Sequence, residues 1–537
     1  MNRVDLSRAD ARVLGSILRH QAEAVPDAPY LRAGDRRFTF AQVNDRANRH
    51  AAGLRRAGVQ AGDTVALLMI GSPELIFTTF AANKLGAVWV PTNTDYRGDW
   101  LCGALRASRA RVLVVDAHLL PRLAELGPDL PIERIVVNGR PEVELAGATM
   151  IDLAEFASLD GREPDVEVAH GDTAAVLWTS GTTGRPKGVM QSHNAWVRGS
   201  ESSIRSYRVR EGDVLYNCLP MYNSAAWIST VYPALIAGLP FGLDDHFSVS
   251  GFWDRTRFYG ATHVFTLGAM HVFLWQAPAA PDDRDNPVRV ASTIPMPAWL
   301  MEPFKARFGI ETIVQGYGQS EVFTVLLRID DGTRTWKPNS AGEPPPGMDV
   351  RLLDDDDEEV AVGEVGEFCV RPAAPYVIAN GYFDDPEATV AAFRNLWYHT
   401  GDLGRRDEDG EFFFFDRKAD YIRYKGRNVS SFAVEAAVNA HPAVAQSAAY
   451  GIRSAELEAE AEIKVDVVVK AGHTLTPEAL ATFVNETAPY FFVPRFIELV
   501  DALPQTPTGR VRKFTLRSRG VTDRTWDRAA AGFVVKR

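Results

Sequence analysis

Short apolar runs alternate with stretches of helical spacing through the first two-thirds of the chain. VALLMI (65–70) is a continuous apolar run closed by turn residues, which predicts a buried strand. PELIFTTFAANKLGA (73–87) has helical spacing, with Pro73 suited to a first turn. VWVP then predicts a second strand, DWLCGALRASRA a second helix, and RVLVVD (111–116) a third strand. The rhythm returns at AAVLWTS (174–180), DVLYNCLP (213–220) and ATHVFTL (261–267). Repeated strand–helix alternation predicts an α/β fold with mostly parallel sheets.

After about residue 340 the texture changes. SAGEPPPGMDVRLLDDDDEEVAVGEVGEFCVR reads as short strands with Pro/Gly turns, a β-rich subdomain in which DDDDEE (354–359) is a solvated turn. In FFFFDRKADYIRYKGRNVSSFAVEAAVNAH (412–441) an apolar strand ends in charge and a new strand–turn–helix unit opens. The expected organisation is an N-terminal domain over 1–416 and a small α+β domain over 417–537, with the linker at Asp416–Lys418. No long-period repeat or low-complexity tract interrupts it.

At 537 residues the chain is too long for one ordinary domain, in keeping with that division. A net charge of −11 argues against nucleic acid as a bulk partner. Cys102, Cys218 and Cys369 form no C-x-x-C pair and have no histidine beside them, so neither a disulfide framework nor structural zinc is expected. The first 29 residues are charged throughout, and no run approaches the roughly 20 apolar residues of a membrane span. A cytoplasmic location follows as the expectation.

One stretch carries chemistry. In LWTSGTTGRPKGVMQSH (177–193) a strand runs into six consecutive hydroxyl or glycine residues, Thr179 to Gly184, followed by Lys187. Glycines let backbone N–H groups approach an anion, hydroxyls donate further hydrogen bonds, and a lysine balances charge. The spacing is not that of a Walker A loop, because Pro186 stands five residues after Gly181.

LWTSGTTGRPKGV resembles the signature of the AMP-forming adenylate enzymes, which include acyl-CoA synthetases, peptide-synthetase adenylation domains and luciferases. Further matches follow in the family's order: GYGQSE (316–321), WYHTGDLG (397–404), DRKADYIRYKGRNVS (416–430) and LPQTPTGRVRKFTLR (503–517). QAPAAPDDRDNPVRV (276–290) is similar to the carnitine-type and medium-chain CoA ligase branch. The resemblance implies ATP and Mg2+, with CoA as co-substrate. A small-molecule acid is activated as its adenylate and passed to an acceptor, and a homodimer is the family's weak expectation. It implies that Thr179, Ser180, Gly181, Thr182, Thr183, Gly184 and Lys187 hold phosphates. Gly316, Tyr317, Gly318, Gln319 and Ser320 would form the adenine and α-phosphate turn, with Tyr317 stacked on the base. Glu321 would be the metal ligand, Asp402 and Arg417 the ribose and phosphate contacts, Gly426 part of the acceptor channel, and Lys418 the hinge about which a mobile C-terminal domain turns.

Three departures accompany the resemblance. The family's C-terminal lysine is Arg510 here, the catalytic position in the adenylation step, with Lys513 close by as a substitute. Asn223 stands where CoA ligases usually carry histidine. The acid-pocket segment, usually Gly-Ala-Pro, reads Thr293-Ile294-Pro295, and Trp227 adds bulk, which together imply a small or flat acid. The leading reading is an acyl-CoA synthetase. An ATP-dependent diazotase acting on nitrite, a ligase with an amine or carrier-protein acceptor, and a degenerate ATP-binding protein stay open at this point.

Overall fold

The computed structural model describes residues 4–126, 130–145, 147–179, 187–268, 270–418, 420–424, 427–453, 461–505 and 511–536. They pack as two compact units, one spanning 186–350 and 370–398 together with the first 179 residues, the other containing 351–369 and 399 onward.

The larger unit holds two eight-stranded sheets. In one, strand Thr64–Leu68 lies between Val88–Pro91 and Val112–Asp116, parallel to both, and Arg134–Asn138 and Thr149–Asp152 extend the same direction. Thr173–Thr179 joins parallel to Val88–Pro91, and Lys187–Ser192 turns back antiparallel against it. In the other, Leu215–Asn217, His263–Leu267, Val290–Ile294 and Thr312–Tyr317 run parallel, and Leu326–Asp330 closes one edge antiparallel. Central strands such as Val88–Pro91 and Val112–Asp116 are buried at every position, as in parallel sheets covered on both faces. Helix Phe40–Arg56 starts from a Thr39–Gln42 capping box, and Pro73–Lys84 from Ser72 with Pro73 in its first turn.

Two predicted strands end early, each for a local reason. Met69 and Ile70 leave the sheet after Leu68, and the Ile70 amide donates instead to the Asp116 carboxylate at 2.7 Å. DVLYNCLP contributes only Leu215–Asn217, because the Asn217 amide group donates to the Leu219 carbonyl at 3.0 Å and turns the chain.

In the smaller unit a four-stranded sheet is followed by a short hairpin, Ile422–Tyr424 with Arg427–Val429, and by the sheet Val444–Arg453, Ala461–Val469, Phe496–Leu499 and Trp526–Asp527. Helices Ser431–Asn439 and Pro477–Thr487 cover that last sheet through Val434, Val438, Leu480 and Val484, which meet Ile463, Val465 and Ile497 in one core. DDDDEE does form a turn, closed by the Asp354 carboxylate accepting from the amides of Asp356 and Glu358. It is not wholly solvated: the Asp357 side chain is only 11% exposed and faces His399. Among the described residues no helix is long and apolar enough to cross a membrane.

Candidate active site

Ser180, Gly181, Thr182, Thr183, Gly184, Gly426 and Arg510 lie outside the described residues. The remaining candidates fall into two sets, one in each unit.

In the larger unit, Thr179 ends one strand and Lys187 begins the next, paired directly opposite it. This hairpin carries the two ends of the hydroxyl-rich stretch. The Lys187 ammonium lies 4.7 Å from the centre of the Tyr382 ring, a cation–π contact. The Tyr382 hydroxyl donates to Glu321 Oε1 at 2.9 Å. Tyr382 therefore links the candidate phosphate lysine to the candidate metal carboxylate. Burial, with the Glu321 charge beside it, holds the Tyr382 phenol far above its ordinary pKa, so it remains a donor. Glu321 is itself buried at 8% exposure.

Gly316 and Tyr317 end strand Thr312–Tyr317, and the chain then folds tightly back on Leu326. A Cβ on Gly318 would stand 1.8 Å from the Phe323 carbonyl oxygen, and one on Gly316 2.4 Å from that of Leu326. Only glycine allows this approach. The turn is closed by the Phe323 amide donating to the Gln319 carbonyl at 2.7 Å and by the Val325 amide donating to that of Tyr317 at 2.8 Å. Phe323 accepts a left-handed φ of 56° to make it. The Tyr398 hydroxyl donates to Gln319 Oε1 at 2.7 Å, and the Gln191 amide group donates to the Ser320 carbonyl. Gln319, Ser320 and Glu321 are thereby fixed from three directions.

The acid-pocket candidates divide. Asn223 is half-buried at the start of the short helix Ser224–Ala226, ahead of a π-helical turn at Trp227–Val231. Trp227 is fully buried. Its indole N–H donates to the Met221 carbonyl at 2.8 Å, and its ring packs against Trp89 and Tyr232 at 4.7 and 5.3 Å. Trp196 continues the aromatic block from Trp89 to Phe323. Thr293 and Ile294 lie on opposite faces of their strand, so they do not form one wall: Ile294 is partly exposed, whereas Thr293 is fully buried and its hydroxyl has no partner among the described residues. His271 supports this segment from beneath, with Nε2 2.8 Å from the Pro295 carbonyl, and burial pushes its imidazole down to about 4.

In the smaller unit, Asp402 and Arg417 are register partners on antiparallel strands, with Arg417 Nε 3.8 Å from Asp402 Oδ1. Asp402 is buried at 6% exposure, and Gly401 before it takes a φ of 71°. Lys418 Nζ donates to Glu367 at 3.0 Å and meets Asp355 at 2.7 Å. Burial lowers the affinity of Lys418 for its proton, but these two carboxylates outweigh burial and raise its pKa.

Lys513, the alternative to Arg510, is engaged within the smaller unit. Its ammonium donates to Ser431 Oγ at 2.6 Å and pairs with Glu435 at 2.8 Å, at 9% exposure. The helix Lys513–Arg519 begins with this buried lysine.

Tyr382 and Tyr398 escaped the sequence reading, because each acts from a segment distant from the turn it holds. The only signal was their position in the GYF and WYHTGD stretches.

The family model of AMP-binding enzymes matches residues 18–383, and that of the AMP-binding enzyme C-terminal domain matches 433–510. A crotonobetaine/carnitine–CoA ligase of Salmonella paratyphi C is 31% identical over 491 residues, covering 90% of this chain and 93% of that protein. The same-named enzyme of Citrobacter koseri is 32% identical over 493 residues, with coverages of 90% and 93%. The crystal structure of the anthranilate CoA ligase AuaEII in complex with anthranoyl-AMP has a TM-score of 0.81 at 26% identity, covering 94% of this chain and 96% of that one. The chain belongs to the AMP-binding enzyme family.

Proposed function

We propose that the chain is an AMP-forming ligase that activates a small or flat carboxylic acid with ATP and Mg2+ and transfers the acyl group to CoA. The observation that carries this reading is the linked set Lys187–Tyr382–Glu321, a cation and a buried carboxylate joined by one tyrosine where the strand pair ends at Thr179 and Lys187. The similarity to CoA ligases supports CoA as the acceptor over nitrite, amine or carrier-protein chemistry.

On this reading a carboxylate oxygen of the acid attacks the α-phosphorus of ATP. The bond to the bridging oxygen breaks, and pyrophosphate leaves with that electron pair. The CoA thiol, losing its proton, then attacks the acyl carbon and AMP departs. Lys187 and the hydroxyls of Thr179, Ser180, Thr182 and Thr183, with the amides of Gly181 and Gly184, neutralise and orient the phosphates. Tyr317 stacks on adenine between the close-packed Gly316 and Gly318, Gln319 shapes the turn, and Ser320 donates to the α-phosphate. Glu321 suits Mg2+, because a buried carboxylate oriented by the Tyr382 hydroxyl is a hard oxygen donor. When bound, that ion would offset the charge developing on the phosphates.

Asp402 accepts from the ribose hydroxyls, while Arg417 faces its carboxylate across the strand pair. Arg510 supplies the positive charge of the adenylation step, and Gly426 leaves room for the thiol. The chain passes between its domains at Asp416–Lys418, and Lys418 is the hinge. Asn223 and Ile294 face the acid, while Thr293 and the buried Trp227 and Trp196 fill volume behind them, which favours a short or planar substrate.

The test is pyrophosphate release with ATP and Mg2+ over acetate, octanoate, benzoate, cinnamate and nitrite, each with and without CoA. Turnover with a small or aromatic acid, rising with CoA, is the expected result. Turnover with nitrite alone, unaffected by CoA and raised by an aryl amine, would overturn the reading.

A further inference from the structure

Away from the residues assigned to ATP, the β-rich sheet of the smaller unit gathers an unexpected donor set. Glu367 and Cys369 are two residues apart on strand Val365–Pro372, so their side chains share a face. The neighbouring strand Tyr398–Arg406 brings His399 against them. His399 Nδ1 lies 3.3 Å from Cys369 Sγ and 3.4 Å from Glu367 Oε2. All three side chains are buried, at 4%, 0% and 6% exposure, and their ligand atoms lie within 4.8 Å of one another. A single imidazole nitrogen facing both a thiol and a carboxylate satisfies hydrogen bonding poorly. The same separations match the edges of a tetrahedral zinc site. Metal–sulfur and metal–nitrogen bonds of about 2.3 and 2.0 Å put those ligand atoms about 3.5 Å apart.

The other ring nitrogen points the same way. Among the described residues His399 Nε2 is buried without a hydrogen-bond partner, and the Asp357 carboxylate faces it at 3.6 Å. Metal-bound histidines commonly donate their second N–H to a carboxylate, which fixes the tautomer and the ring. Asp357 reaches that position from the acidic turn by adopting a φ of 63°.

We propose that Glu367, Cys369 and His399 form a three-ligand site for a thiolate-preferring divalent cation, Zn2+ by its donor set, with Asp357 orienting the imidazole. Loading expels the Cys369 proton to solvent. Glu367 Oε1 keeps the Gly401 amide, a 2.9 Å hydrogen bond, as its donor. Lys418, now on Glu367 Oε2 at 3.0 Å, gives up that oxygen and retains Asp355 at 2.7 Å. Charge stays balanced, because Zn2+ meets one thiolate and one carboxylate while the ammonium keeps a carboxylate. The ions compete for one oxygen, so Zn2+ weakens the tether on Lys418. Zinc is not expected from the sequence because His399 lies 30 residues from Cys369 and meets it only through strand pairing.

The experiment uses the full chain stripped by chelator, without nucleotide, titrated with Zn2+ and then with Co2+. One Zn2+ per chain is expected, and Co2+ should give tetrahedral visible bands with a near-ultraviolet thiolate charge-transfer band. Cys369→Ser should abolish that band, while Cys102→Ser should keep it. Asp357→Asn, on the turn, should weaken Zn2+ binding about 10-fold. No stoichiometric Zn2+, or a charge-transfer band that survives Cys369→Ser, would overturn the proposal. Should Cys369→Ser fail to fold by circular dichroism, Asp357→Asn decides, and unchanged affinity there overturns it.

Discussion

The Tyr382 hydroxyl donates to Glu321 Oε1 at 2.9 Å, while its ring lies 4.7 Å from the Lys187 ammonium. One side chain thus couples the two charges that ATP and its cation would engage. Tyr382→Phe keeps the ring and removes the hydrogen bond. It should cost about 1.5 kcal/mol, roughly tenfold in kcat/KM for ATP, with the larger loss at limiting Mg2+. Tyr382→Leu also removes the cation–π contact and should lose several-fold more. ATP–pyrophosphate exchange at two Mg2+ concentrations reads both; a phenylalanine variant indistinguishable from the parent would show that the coupling does not matter.

Asp402 and Arg417 face each other across a strand pair, yet the arginine is 30% exposed and Asp402 only 8% by side chain. An ion pair with one hydrated partner contributes little to folding, about 1 kcal/mol or less. Asp402→Asn should therefore fold normally and lose nucleotide affinity, since an amide can accept only through one oxygen. The expected result is at least about a tenfold rise in Kd for ATP by calorimetry, with the melting temperature changed by only a few degrees. A large stability loss with unchanged Kd would make Asp402 structural.

Much of the architecture could be read from the chain. The apolar runs and helical spacings located strands such as Val112–Asp116 and helices such as Pro73–Lys84, because buried parallel strands are apolar throughout and caps are local. Motif positions singled out Glu321, Asp402 and Lys187 as candidates. What eluded the sequence depends on through-space meetings: Tyr382 with Glu321, Trp227 inside an aromatic block, His399 with Cys369. Strand alternation likewise separated Thr293 from Ile294, although adjacency in the chain suggested a shared wall.

Lys513 marks another such meeting. It pairs with Glu435, and burial raises the pKa values of both Glu435 and Asp416 while the Lys513 charge opposes that rise. Carboxyls with raised folded-state pKa values contribute stability below their unfolded values and lose it as pH climbs through the folded ones. Lys513→Met removes the charge that tempers this loss, so it should destabilise the protein by about 3 kcal/mol near neutrality and less near pH 5. Chemical denaturation at pH 5 and 7.5 tests the sign. Total pyrophosphate exchange should follow the folded fraction, with activity per folded molecule unchanged; a loss per folded molecule would return Lys513 to the chemistry.

Acid should unfold the larger unit early. Burial, the largest influence on each, pushes His50, His193, His263 and His271 down to about 4. Their unfolded counterparts bind a proton near 6.5, so between about pH 6.5 and 4 the unfolded chain takes up protons that the folded one refuses. Stability therefore rises with pH through that window and is lost as pH falls through it. At pH 5 each fully buried imidazole costs about 2 kcal/mol by this linkage, a large fraction of a typical folding free energy. The melting temperature should fall steeply from pH 7 to 5. His271→Gln should flatten that slope by about a quarter of the histidine contribution, since glutamine does not titrate in this range. Because His271 sits beneath Pro295, acidification should also raise KM for the acid before it affects ATP binding. A pH-independent melting temperature between 7 and 5 would mean that these imidazoles are protonated in the folded state.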